Sequence, residues 1–223
     1  MRTKICASIL EKSEKEFLKK VNMVKECDLI EIRIDLIKEP AQLLKKILYS
    51  SPFPIILTNR IKREGGVFEG SEKERINILK EGMVFCDFVD IELNSKFRDE
   101  IIQKAEELGI KKIISFHDIE KTPDKSEMEN IIRKEINCKA DIAKLIVNAK
   151  SHRNLIDLLE VTRKASSFCK VATASIGEYG KFSRIATSFF GSCLVYGYVG
   201  KPTANGQLSI YELVELRDMG LLR

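Results

Sequence analysis

The sequence has 223 residues, of which 44% are apolar and 32% are charged, with a formal net charge of +5. This length suits one large domain, and the composition argues against a disordered chain or a membrane protein. No apolar run approaches the roughly 18 residues of a membrane-spanning helix, and the first residues lack a signal-peptide pattern, so we expect a cytoplasmic protein. Because acidic residues are interleaved with the basic ones, we expect no nucleic-acid partner.

Eight apolar, β-branched segments recur along the chain: 4–9, 29–34, 54–58, 88–93, 112–116, 141–147, 169–175 and 193–199. Segments with helical periodicity and charged outer faces alternate with them: 13–26, 39–49, 71–81, 95–108, 126–137, 151–165, 181–191 and 207–218. This alternation predicts a parallel sheet, and eight units without a reversal predict a single-domain (β/α)₈ barrel over residues 1–223. A doubly wound open sheet is the alternative, but no G-x-G-x-x-G turn follows the first predicted strand.

Capping residues support the predicted helices. Serines stand where N-caps belong at Ser13, Ser71, Ser95, Ser126 and Ser151. Gly109 follows the fourth predicted helix, as a C-cap glycine should.

The cysteines predict neither disulfides nor a metal site. Six lie in or beside apolar segments: Cys6, Cys27, Cys86, Cys138, Cys169 and Cys193. None belongs to a C-x-x-C pair, and no Cys/His cluster has the spacing of zinc ligands. We therefore expect buried, reduced thiols and no metal ion.

The second predicted strand carries charges where a barrel strand should be apolar. Because side chains alternate between two faces, Glu31, Arg33 and Asp35 share one face, and the apolar residues share the other: Ile32, Ile34 and Leu36. In a barrel, the apolar face packs against the helices and the charged face points into the lumen. Burying these charges costs several kcal/mol each unless they are paired. A structural ion pair is one explanation, and a ligand site is the other.

Other predicted strands favour the ligand site. Polar side chains lie at or near their C-terminal ends: Arg60, Asp90, Glu92, His117, Lys144 and Arg184. Barrel enzymes place their chemistry at this end. A lysine inside an apolar strand is rarely buried without purpose, and removing it from water favours the neutral amine, which condenses with ketones to form a Schiff base. The alternative is a structural Lys144 paired with Glu31 or Glu92.

Together these segments resemble the type I 3-dehydroquinate dehydratases over essentially the whole chain. The matching segments are EIRID (31–35), TNR (58–60), EGG (64–66), DIEL (90–93), SFHD (115–118), Lys144, SRIA (183–186) and TANGQ (203–207). The resemblance implies a (β/α)₈ barrel, usually a homodimer, that works in the shikimate pathway. It also implies conversion of 3-dehydroquinate to 3-dehydroshikimate and water without a metal or organic cofactor.

The resemblance further implies roles for ten residues. Lys144 is expected to form the Schiff base, His117 to act as general acid/base, and Glu64 to orient the histidine. Arg184 is expected to hold the substrate carboxylate. Contacts with the substrate ring or its hydroxyls are expected from Ser8, Glu31, Arg33 and Arg60. A mobile loop that closes the site is expected to include Thr203 and Gln207.

The chain departs from the family pattern at four positions. Thr203 and Asn205 stand where the family commonly has Ser and Pro, and the threonine keeps the hydroxyl. Tyr196 replaces a frequent Phe, and Ile32 replaces a common Trp. We expect neither of the last two to touch the chemistry.

Two other functions fit parts of the pattern. A Schiff-base aldolase would also need a lysine on the sixth strand, with a glycine-rich phosphate site for which residues 175–180 (SIGEYG) are a faint candidate. A catalytically inactive barrel serving as a binding module is the other alternative. The joint presence of Lys144, His117 and Glu64 argues against it.

Overall fold

The computed structural model describes residues 2–223 and contains all sixteen predicted elements. The strands are β1 (Lys4–Leu10), β2 (Leu29–Arg33), β3 (Ile55–Thr58), β4 (Phe88–Glu92), β5 (Lys111–His117), β6 (Ile142–Val147), β7 (Val171–Ser175) and β8 (Leu194–Tyr198). The helices are α1 (Glu14–Met23), α2 (Pro40–Ser50), α3 (Glu72–Gly82), α4 (Arg98–Leu108), α5 (Lys125–Asn137), α6 (His152–Ser166), α7 (Gly180–Phe189) and α8 (Ile210–Asp218). Across residues 2–223, no helix combines the length and apolar character needed to cross a bilayer.

The strands form one parallel sheet that closes on itself. Its order is β7, β6, β5, β4, β3, β2, β1 and β8, and β1 forms ladders with both β2 and β8. Between β7 and β8 the sheet is closed by a bridge between Val171 and Ser192 and by a 2.7 Å hydrogen bond from the Cys193 N–H to the Val171 carbonyl, and the Thr173 N–H donates to the Ser192 hydroxyl at 3.1 Å. The predicted single-domain (β/α)₈ barrel is thus confirmed, and the alternative of a doubly wound open sheet is wrong.

Several helix ends follow the local sequence. The N-caps predicted at Ser13, Ser71 and Ser151 are confirmed, because each side chain accepts a backbone N–H from the first turn of its helix. Gly109 ends α4 in the left-handed conformation, with φ at 69°, which confirms the predicted C-cap.

Two predicted N-caps are wrong. The Ser95 hydroxyl accepts the Phe97 N–H at 3.3 Å and donates to Glu72 Oε1 at 2.7 Å, but α4 begins at Arg98, so Phe97 and not Ser95 holds the N-cap position. Asp124 caps α5 by accepting the Glu127 N–H at 2.8 Å, so Ser126 lies inside the first turn.

The barrel has two apolar layers. The outer layer lies between sheet and helices and includes Ile32 and Ile34, as predicted, whereas Leu36 lies beyond the end of β2 and is 36% exposed. A smaller layer includes strand side chains of the opposite parity: Cys6, Leu29, Ile56, Ile113, Ile142, Ala172 and Leu194. This second layer fills the lumen toward the N-terminal ends of the strands. It forms the floor on which the polar side chains of the same faces rest.

Candidate active site

A cavity of about 450 Å³ opens at the C-terminal end of the barrel. Its lining includes all ten residues selected from the sequence: Ser8, Glu31, Arg33, Arg60, Glu64, His117, Lys144, Arg184, Thr203 and Gln207. The structure therefore brings together side chains from β1, β2, β5, β6 and the first turns of α7 with side chains from the segments that follow β3 and β8. Within residues 2–223, no group of three or more His, Cys, Asp or Glu side chains is placed to hold a metal ion.

Lys144 is buried in the lumen between two carboxylates and an aromatic ring. Its Nζ lies 2.8 Å from Asp90 Oδ2 and 3.6 Å from Glu31 Oε1. The same nitrogen lies 4.2 Å from the ring centroid of Tyr196. The alternative of a paired lysine is therefore realised in part, with Asp90 in place of Glu92. Pairing does not remove the amine from the site, because Lys144 lines the cavity.

Glu31 is held from both neighbouring strands. The Ser8 hydroxyl on β1 donates to its Oε2, and the Thr58 hydroxyl on β3 donates to its Oε1 at 3.0 Å. The register aligns Ser8 with Glu31, so the first contact follows from the parallel pairing of β1 and β2. Glu31 is thereby fixed beside Lys144.

Arg33 pairs with Asp35, so part of the charge on the second strand forms the structural ion pair that the sequence analysis left open as one explanation. The guanidinium Nε lies 2.9 Å from Asp35 Oδ1, and Nη2 binds the other carboxylate oxygen. Burial alone would raise the pKa of Asp35, but the Arg33 guanidinium and the backbone N–H groups of Arg60 and Val67 hold it below its usual value. Arg33 is thus neutralised within its own segment.

Arg60 crosses the lumen and joins two strands. Its Nη2 donates to Asp90 Oδ1 at 2.7 Å, and its Nη1 donates to Glu92 Oε1 at 3.1 Å and to the Ser115 hydroxyl at 2.7 Å. Burial would raise the pKa of Asp90, but Arg60 and Lys144 hold it well below its ordinary value. Asp90 is therefore ionised and contacts both cations, while Glu92 is a second partner of Arg60 and Glu31 a second partner of Lys144.

His117 lies two residues beyond the Ser115–Lys144 pair of the β5–β6 register, on the same face of the sheet. Two residues of a strand span about 7 Å, which places the imidazole toward the cavity mouth. Burial and the nearby cations Arg60 and Lys144 lower the pKa of His117, so it is neutral at pH 7.

Glu64 reaches His117 from a 3₁₀ turn, Lys62–Glu64, that follows β3. Its Oε2 lies 3.2 Å from the imidazole Nδ1 and accepts the His117 backbone N–H at 3.1 Å. Burial, reinforced by nearby Glu92, raises the pKa of Glu64 to about 7, while Arg60 opposes the shift. The EGG motif shapes this turn, because a Cβ at Gly66 would lie 1.8 Å from the Arg60 carbonyl oxygen.

Arg184 differs from the other three cations that line the cavity. Its Nη1 donates to three backbone carbonyls, those of Ser175, Gly180 and Gly206, at 2.8–2.9 Å. Its Nε has no hydrogen-bond partner among the described residues, and none of their carboxylates forms a salt bridge with it. Burial lowers the pKa of Arg184 to about 10, so it is still a cation at neutral pH.

The loop from 203 to 207 lies over the cavity and is folded onto the turn after β7. Gln207 Oε1 accepts both the N–H and the hydroxyl of Thr203 at 2.9 Å. The Gly177 N–H donates to the Asn205 carbonyl at 3.1 Å. Because Gly177 lies in the SIGEYG segment, this hydrogen bond occupies a backbone donor that a phosphate site would need.

Two residues that contact Lys144 were given no role in the sequence analysis, Asp90 and Tyr196. Asp90 was placed on the right face of its strand, but only the structure shows that it contacts Lys144. Tyr196 was expected not to touch the chemistry, and the structure places its ring against the Lys144 nitrogen, a contact that the sequence did not predict. Strand parity was the available signal for both residues, but parity does not give the register between β4, β6 and β8.

Comparisons with known proteins agree on one family. The Type I 3-dehydroquinase profile matches residues 5–220. The 3-dehydroquinate dehydratase of Methanococcoides burtonii is 40% identical over 199 residues, covering 86% of this chain and 84% of its own. The 3-dehydroquinate dehydratase of Methanocella arvoryzae is 36% identical over 220 residues, which cover 98% of this chain and 97% of that protein. The crystal structure of the Geobacillus kaustophilus 3-dehydroquinate dehydratase superposes with a TM-score of 0.92 at 25% identity, over 98% of this chain and 91% of that one.

Proposed function

The chain belongs to the type I 3-dehydroquinase family, which catalyses dehydration of 3-dehydroquinate in the shikimate pathway, and we propose that Lys144, His117 and Glu64 perform this reaction here. Support comes from their common cavity and from the contacts between them. A Clostridium difficile type I enzyme, 29% identical with a TM-score of 0.89, has been crystallised with covalently modified comenic acid. A covalent adduct in such a relative is consistent with a nucleophile in the barrel.

Arg184 is the observation that carries the substrate assignment. Arg33, Arg60 and Lys144 each have a carboxylate partner, whereas Arg184 has none among residues 2–223. A buried cation without a partner is costly, and a bound anion removes that cost. The planar guanidinium suits a carboxylate, since it can donate two parallel hydrogen bonds. We assign the single carboxylate of 3-dehydroquinate to this position.

The remaining polar residues suit the neutral part of the substrate. Ser8, Glu31, Arg33 and Arg60 surround the lumen below His117, where ring hydroxyls and the ketone would lie. Thr203 and Gln207 would cover the ring from the loop. Closing this loop would exclude water from the reacting bonds.

In the proposed reaction, neutral His117 takes a proton from the ammonium group of Lys144, and the free amine attacks the ketone carbon. The resulting carbinolamine receives that proton back from the imidazolium and loses water to give an iminium ion. His117 then takes a proton from the carbon next to the iminium, and the electron pair moves toward the cationic nitrogen as an enamine. The enamine expels the hydroxyl one carbon further on, and the imidazolium returns the proton so that water leaves. Hydrolysis of the conjugated iminium releases 3-dehydroshikimate and restores Lys144.

Glu64 would govern the histidine in this cycle. With Nδ1–H directed at Glu64, the imidazole Nε2 is available to the cavity as the base. When His117 takes a proton, the carboxylate of Glu64 stabilises the imidazolium. This arrangement separates an orienting carboxylate from the group that transfers the proton.

A direct experiment is to mix the protein with 3-dehydroquinate and follow the absorbance of the conjugated product. Borohydride then reduces the iminium, and mass spectrometry locates the adduct. We expect product formation and one adduct on Lys144. Absence of product, or an adduct on another residue, contradicts the proposal.

Two variants separate the proposed roles. Lys144→Ala should give neither product nor adduct. His117→Ala should still be labelled slowly at Lys144 but turn over poorly, because the amine remains while the base is gone. Equal labelling and turnover in His117→Ala would remove His117 from the mechanism.

We further propose a homodimer in the cytoplasm. Helix α7 supports the dimer, because its polar residues Ser183 and Thr187 are buried, whereas Phe182 and Phe189 are 59% and 46% exposed. Apolar side chains on the outer face of a helix are typical of an interface between subunits. Light scattering should give a dimeric mass that falls to the monomer in Phe182→Glu but not in Tyr49→Glu, an exposed position on α2. A native protein that is monomeric in solution contradicts the proposed dimer.

Cell fractionation tests the proposed cytoplasmic location, which predicts that the protein is recovered in the cytoplasmic fraction.

A further inference from the structure

Tyr196 lies in the lumen at the boundary between the cavity and its apolar floor. It is on β8, level with Cys6 of β1, and packs against the floor cluster that includes Cys6, Leu29 and Leu194. The ring also lines the cavity. One side of the ring thus meets apolar side chains, and the other is available to the site.

The face of this ring is directed at the Lys144 nitrogen. Nζ lies 4.2 Å from the ring centroid, within the distance at which the negative face of an aromatic ring attracts a cation. The other contacts of Nζ are with Asp90 and Glu31. Lys144 is therefore held by a hydrogen bond to Asp90, by an ion pair with Glu31 and by the ring, and the ring is the only uncharged group of the three.

The phenol oxygen does not explain the presence of Tyr196. Within residues 2–223 the hydroxyl is buried and has no hydrogen-bond partner, which costs free energy. None of the described protein groups therefore uses this hydroxyl as a donor or an acceptor. What the residue contributes to the site is its aromatic face.

We infer that Tyr196 is a positioning residue for Lys144, whose ring keeps the amine on the cavity side of Asp90 and stabilises the cationic iminium. The inference rests on the proposed Schiff-base role of Lys144. The nitrogen is a cation as an ammonium group and again as an iminium ion, and the ring attracts both. Asp90 alone would hold the ammonium group but would not limit the direction from which the ketone approaches.

The test compares Tyr196→Phe, which keeps the ring, with Tyr196→Leu and Tyr196→Met, which remove it. We expect Phe to retain kcat within about twofold and Leu and Met to lower kcat by about three- to thirtyfold with little change in KM. The rate of borohydride labelling of Lys144 should fall in parallel. Thermal unfolding shows whether each variant is folded. If the void left by Leu destabilises the barrel, the longer side chain of Met provides a second variant without the ring.

The outcomes distinguish this inference from the proposed function. If the native protein is not labelled at Lys144, both fail. If it is labelled, and Leu or Met matches the native kcat, only the role of Tyr196 fails. A loss in Phe as large as that in Leu also overturns the inference, because it would assign the effect to the hydroxyl.

Discussion

Glu64 holds His117 through a single oxygen, since Oε2 lies 3.2 Å from the imidazole Nδ1 and 3.1 Å from the backbone nitrogen of the same residue. The contact fixes both the ring and the strand end that carries it. Because burial raises the pKa of Glu64 to about 7, the charge on this carboxylate changes near neutral pH. The histidine and its partner therefore form one unit whose charge changes near neutral pH through Glu64.

Replacing Glu64 should reveal this unit in the pH profile. Ionised Glu64 stabilises the imidazolium, so kcat/KM of the native protein should rise as the pH increases through about 7. Glu64→Gln keeps the shape but not the charge. We expect it to lower kcat by about ten- to a hundredfold and to abolish the rise near pH 7. Steady-state kinetics between pH 5 and 9 measure both effects, and an unchanged profile in Glu64→Gln would show that another group sets it.

Arg184 should determine the affinity for the carboxylate. Arg184→Lys keeps a positive charge but loses the planar fork, and we expect KM to rise by about ten- to a hundredfold with a smaller change in kcat. Arg98→Lys, on the partly exposed side of α4, is a matched control that should leave KM unchanged. A substrate analogue that lacks the carboxylate should bind Arg184→Lys as tightly as it binds the native protein. A KM close to the native value in Arg184→Lys would place the carboxylate elsewhere.

Gly180 should control how closely the 203–207 loop can approach. A Cβ on Gly180 would lie 2.6 Å from the Gly206 carbonyl oxygen, although its own φ of −58° suits alanine in the first turn of α7. Gly180→Ala should therefore raise KM about tenfold, because the backbone that carries Thr203 and Gln207 must move away from α7, whereas the melting temperature should fall only as far as that displacement costs stability. Calorimetry and kinetics on the same sample provide the comparison. A native KM would mean that the loop does not need this approach.

Glu135 should make stability depend on pH. This α5 residue is fully buried, and in the described part of the chain neither carboxylate oxygen has a hydrogen-bond partner. Burial, followed by repulsion from Asp90 and Glu64, raises its pKa well above the ordinary value of 4.5. The folded protein therefore retains a proton that the unfolded chain releases above pH 4.5. The free energy of unfolding should fall by up to about 1.4 kcal/mol per pH unit from there until the folded-state pKa is reached.

Glu135→Gln removes this titration. Denaturant unfolding at pH 5, 6 and 7 should show the variant gaining stability relative to the native protein as the pH rises. Glu107→Gln, on the exposed side of α4, should show no such trend. A difference that is constant across these pH values would mean that Glu135 does not titrate differently in the folded and unfolded states.

The local sequence determined the elements and the rim on which the site is built. Periodicity of two along strands and of about 3.6 along helices is a property of neighbouring residues, so all sixteen elements were predictable. Parity alone placed Glu31, Arg33 and Lys144 in the lumen. Because the strands are parallel, His117 and the loops that follow β3, β7 and β8 had to meet at one end.

Tertiary structure decided which side chains pair. Arg33 binds Asp35 and not Glu31, Lys144 binds Asp90 and lies against Tyr196, and Arg184 is left without a carboxylate among the described residues. The caps predicted at Ser95 and Ser126 failed because the helices begin at other residues: α4 starts at Arg98, and Asp124 caps α5. Parity along one strand is fixed locally, but contacts across the lumen depend on the register and closure of all eight strands, which only long-range packing sets.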